Sequence, residues 1–137
     1  MNINMNIKEL SNELYFYAIN EFVTKKLRLT NAIDVVRYCM ELVDKKNIVG
    51  SQKSEIVKNI IDKLTFHYFD GLKESLSEEC INNLNILSKN NLLQPLMDTI
   101  YNASKGRLDI SNSSQSTSQN RLYNIELRNW NAKIMGF

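Results

Sequence analysis

Proline occurs once in this chain and glycine four times. A protein of many short strands needs many turns, and turns draw on those two residues. Their scarcity argues against a β-sandwich and for helices joined by few connections. Cysteine is sparse too: Cys39 and Cys80 sit inside apolar helical patterns without metal-ligand spacing, which reads as two buried reduced thiols. The single histidine, His67, lies in "TFHYFD" at a helix end. One histidine and two separated cysteines cannot close a zinc site without carboxylates, so neither a metal nor a cofactor is expected. No apolar run approaches the ~18 residues of a membrane span and no secretory leader pattern opens the chain, so the expectation is a soluble, intracellular protein that is not secreted.

Catalytic strings are also missing. The sequence holds no Gly-rich phosphate loop, G-x-S-x-G, H-E-x-x-H, EF-hand or C-x-x-C. His67 has no nucleophile or second acid beside it in the sequence. Glu78 and Glu79 are adjacent, so on a helix they point about 100° apart and do not face one substrate. Their place just after Ser77 suits the positive end of a helix instead. The expectation is a protein that is not an enzyme.

Charge is nearly balanced, at +2 overall. Residues 1–106 are neutral, and the excess lies in Arg107, Arg121, Arg128 and Lys133 set against Asp109 and Glu126. That is far below the footprint of a dedicated nucleic-acid binder. The densest basic cluster, "KKLRL", offers Lys25, Lys26 and Arg28 as the candidate phosphate contacts. Three contacts are few beside the roughly six to ten of many DNA binders.

What the chain does have is apolar periodicity. With 43% apolar and 23% charged residues over 137 positions, it suits one folded core. Ile7, Leu10, Leu14, Tyr17, Ala18 and Phe22 recur at helical steps between about residues 5 and 27, with Tyr15 and Phe16 off that stripe. A second helix starts at Thr30 or Asn31, carries Ile33, Val36, Met40 and Val43, and is apolar over enough of its girth to belong at the centre. A third follows Gly50 with Ser51 as its cap, and runs through Ile56, Ile60 and Leu64 until Asp70 and Gly71. Ser77 caps a fourth, which Asn90 and Asn91 interrupt. A fifth, short helix holds Pro95 in its first turn and closes at Gly106. The pattern predicts an all-α fold: a small antiparallel bundle of four to five helices over residues 1–108.

Beyond it, "SNSSQSTSQN" contains no apolar side chain. Such a stretch cannot offset its ordering entropy, so residues 109–121 are expected to form a flexible linker, ten residues of which span about 17 to 19 Å. Residues 122–137 then turn apolar and aromatic and include Trp130, the chain's single tryptophan. Tyr123, Ile125 and Leu127 alternate as a strand would, while Tyr123, Leu127, Trp130 and Ile134 fit a helix stripe. Both templates stay open, as does docking on the same bundle or on another chain. The candidate partner-binding residues are Leu122, Tyr123, Ile125, Leu127, Trp130, Ile134, Met135 and Phe137.

Two stretches, "NAIDVVRYCMELVDKKNIVGSQKSEIVKNIIDKL" and "PLMDTIYNASKGRLDI", resemble small helical proteins of large nucleocytoplasmic DNA viruses. Those proteins carry a methionine-glutamate-rich helix, a "G-x-x-K" connection, an Ile/Val-rich helix and a helix ending in "ASKG". The matching residues are Met40, Glu41, Gly50, Lys53, Ile56, Val57, Ala103, Ser104, Lys105 and Gly106, and the resemblance covers residues 31–110. It implies a viral origin, in keeping with nineteen asparagines and fourteen isoleucines, and a place in the virion or host cytoplasm. It brings no catalytic residues. Together these readings point to a non-enzymatic interaction or structural protein, such as a minor virion or assembly component. Its partner would be another protein or a second copy. The alternative is a nucleic-acid-associated or regulatory protein that uses Lys25, Lys26 and Arg28.

Overall fold

The computed structural model describes residues 6–105. Five helices follow in order: α1 (Ile7–Val23), α2 (Ala32–Asp44), α3 (Gly50–Phe66), α4 (Glu78–Lys89) and α5 (Leu93–Ser104), with a single 3-10 turn at Asp70–Leu72 between α3 and α4. No strand occurs among the described residues, so the all-α bundle read from the sequence is what the chain forms. No helix among them is long and apolar enough to cross a membrane.

Three starts follow from caps. Asn6 Oδ1 accepts from the Lys8 amide at 2.8 Å, Asn31 Oδ1 from Asp34 at 2.9 Å, and Ser77 Oγ from Cys80 at 3.1 Å, each satisfying an amide that has no partner within its helix. The third helix departs from expectation. Its cap residue is Val49, which offers no side-chain acceptor, and Ser51 falls inside the first turn. There the extended Val49 backbone lets its carbonyl accept from both Gln52 and Lys53 at 3.0 Å, so Gly50 joins the helix instead of preceding it.

α1 stops at Val23, four residues short of the expected end. Lys26 takes the left-handed conformation, φ 60°, and Leu27 donates its amide back to the Glu21 carbonyl at 3.0 Å. That reversal closes the helix in the manner usually left to glycine or asparagine. Asn91, at φ 57°, does the same after α4. Ser75 then locks the corner, because its buried hydroxyl donates to the Phe22 carbonyl at 2.6 Å and its carbonyl accepts from Leu29 at 3.0 Å. In the 3-10 turn the Phe69 ring lies over Gly71, where a Cβ would sit 2.5 Å from Phe69 Cε2.

α2 runs back along α1, with Lys46 beside Glu13 at one end and Tyr38 beside Phe22 at the other. Both α2 and α3 touch all the other helices, which places them at the centre. Phe22, Met40, Ile60, Leu72, Leu84, Met97 and Ile100 are fully buried there. Each such side chain stabilises by about 1.5 to 3 kcal/mol relative to exposure. One stripe residue is misplaced by the sequence. Tyr15 is buried and Tyr17 is half exposed, because α3 packs on the Leu10, Ser11, Leu14, Tyr15, Ala18 and Phe22 face, which shifts the covered side away from Tyr17.

Candidate docking groove

The side of α1 that α3 leaves uncovered lines a surface groove. The groove, of about 450 Å³, lies between Glu13, Leu14, Phe16 and Tyr17 on one side and Leu42, Lys45 and Lys46 on the other. Phe16 is 64% exposed and Tyr17 48%, so two aromatic side chains flank a concave apolar floor. From Phe16 a series of ring contacts leads away from the groove. Phe16 meets the buried Tyr15 edge-on at 5.2 Å, Tyr15 lies 6.5 Å from His67, and His67 meets Phe66 edge-on at 4.9 Å. Phe66, in the last position of α3, is 82% exposed.

The rim is cationic on the α2 side. Lys46 Nζ reaches Glu13 Oε2 at 3.1 Å, while Lys45 is exposed and makes no ion pair among the described residues. One turn back, burial raises the Glu41 carboxyl above its ordinary value, opposed by the positive charges of Arg37 and Lys45. Behind Tyr17, burial first and the Glu21 carboxylate second hold the proton on Tyr38 far more firmly than on a free tyrosine. These groups can shape and charge a docking surface.

The alternative basic cluster lies at the far end of α1. Lys25 Nζ sits 3.1 Å from Glu21 Oε2, and contact with that carboxylate raises the Lys25 ammonium above its ordinary value. Lys26 Nζ lies 4.0 Å from Glu74, and Arg28 is exposed. Two of the three cations therefore already face carboxylates. The thiols are as expected: Cys39 and Cys80 are free and buried, and burial pushes them up to about 12 and about 11. Among the described residues no group of three His, Cys, Asp or Glu side chains comes together to hold a metal ion.

The partner-binding candidates Leu122, Tyr123, Ile125, Leu127, Trp130, Ile134, Met135 and Phe137 lie outside the described residues, as do Gly106 and the linker at 109–121. The groove itself was not read from the sequence. Its signal was the run "YFYA", too rich in rings for one helix face to bury. No protein-family model, curated protein or solved structure matches this chain.

Proposed function

We propose that the chain is a non-enzymatic interaction protein, a helical body that carries residues 122–137 to a neighbouring protein, and that it serves as a minor virion or assembly component of a large DNA virus. The observation that carries this reading is the exposed apolar groove flanked by Phe16 and Tyr17. An aromatic concavity with a charged rim is the form of surface on which helices and extended peptides dock. The apolar segment beyond the Ser/Asn/Gln stretch is a second such element in the same chain. The viral assignment, and with it a place in the virion or host cytoplasm, rests on the resemblance over residues 31–110. The nucleic-acid alternative has less support, since Lys25 and Lys26 are engaged by Glu21 and Glu74.

Deleting residues 111–137 tests the reading. The shortened chain should keep its helical circular dichroism and lose co-purification with its partners from infected cells. If it retains every partner of the full chain, the docking role of the segment is wrong.

A further inference from the structure

The body offers few seats for an apolar peptide. The cavity lined by Gly50, Ser51, Ser54, Glu55, Lys58 and Gln94 has no large apolar or aromatic side chain in its wall, and the one lined by Lys58, Asp62, Ser88 and Asn91 is mainly polar. Val49, Ile86 and Leu92 are exposed but line no described cavity, and scattered apolar side chains of this kind are ordinary for a protein surface. Among the described residues, exposed rings meet an apolar concavity in the α1–α2 groove.

We propose that this groove is the resting seat of residues 122–137 of the same molecule. This inference rests on the docking role proposed above and adds its regulation: a neighbour that takes the segment must first draw it out of the groove.

Three observations support the match. The segment contains Tyr123, Leu127, Trp130 and Ile134, and the groove has apolar walls formed by Leu14, Phe16, Tyr17 and Leu42 that such side chains would cover. Its single acid, Glu126, lies between Tyr123 and Trp130 in the chain, and Lys45 on the groove rim has no ion-pair partner among the described residues. The length of chain also suits. Sixteen residues, 106–121, separate Lys105 from the segment, and a flexible stretch of that length would span about 20 to 24 Å. A body of 100 residues has a radius of gyration near 13 Å, so the groove is within reach. A short tether of this kind holds its end at a millimolar local concentration, which favours the molecule's own groove over that of a second copy.

Trp130 is the chain's single tryptophan, so its emission reads the seat directly. In the full chain it should be blue-shifted and shielded from acrylamide relative to a 122–137 peptide, with no change on dilution. Phe16→Asp and Lys45→Glu alter exposed side chains, so helical circular dichroism should be unchanged while emission moves towards that of the peptide. Emission equal to the peptide's in the unmodified chain would overturn the proposal. So would shielding lost on dilution, which puts the segment on a second copy, or shielding indifferent to both variants, which puts it elsewhere on the body. The two readings fail separately. An unshielded Trp130 with partners lost on deletion of 111–137 removes the resting seat alone, whereas a shielded Trp130 with every partner retained removes the docking role.

Discussion

The Ser75 hydroxyl donates to the Phe22 carbonyl over 2.6 Å, tying the end of α1 to the segment that leads into α4 across fifty-three residues of sequence. Both groups are shut away from water, so neither has an alternative partner at hand. Ser75→Ala should lose about 1 to 3 kcal/mol, the cost of leaving a buried carbonyl unsatisfied. Urea unfolding reads this as a lower midpoint at an unchanged slope.

Asp44 and Lys53 form an ion pair of 2.7 Å in which the lysine side chain is only 7% exposed. Removing one partner takes from the other an opposite charge only 2.7 Å away. Lys53→Met should therefore cost roughly 3 kcal/mol, while Asp44→Leu with Lys53→Met should recover most of it, because a buried pair replaced by apolar side chains is often neutral. A double-mutant cycle measures the coupling, and a double variant as unstable as the single one would refute this account.

Glu41 predicts a pH dependence. Burial raises its folded-state value above the ordinary 4.5, so the fold favours the neutral acid. Its contribution to stability is full below the unfolded value and is lost as pH rises through the raised folded value. Glu41→Gln should accordingly gain on the unmodified protein from about pH 4.5 upward. Thermal midpoints of the two proteins, compared across that window, should diverge in that direction.

Cys39 and Cys80 should be inert in the native protein. With values of about 12 and about 11, almost no thiolate exists at neutral pH, and both sulfurs are covered. Iodoacetamide should label neither over a time in which it labels both after unfolding in guanidinium. Rapid native labelling of Cys39 would show that the centre of the bundle opens.

The helices were legible because their signals are local. Asn31 and Ser77 announce their caps, Pro95 fits only a first turn, and the apolar steps through α2 and α3 are regular. What was not legible depends on neighbours. Whether Tyr15 or Tyr17 is covered is decided by the side from which α3 approaches α1. The end of α1 depends on Lys26 adopting a conformation its side chain does not advertise. The groove needs Glu13 to Tyr17 beside Leu42 to Lys46, at least 25 positions further along, which no single stretch encodes. Lys25 and Lys26 look free in a string, and only the folded chain brings Glu74 to Lys26.

The bare α-carbon at Gly71 has an effect out of proportion to its size. It leaves the space in which the Phe69 ring lies, and that ring is already 43% uncovered. One added methyl at this position would collide with the ring, so the tight corner before α4 owes its present form to the absence of a single carbon.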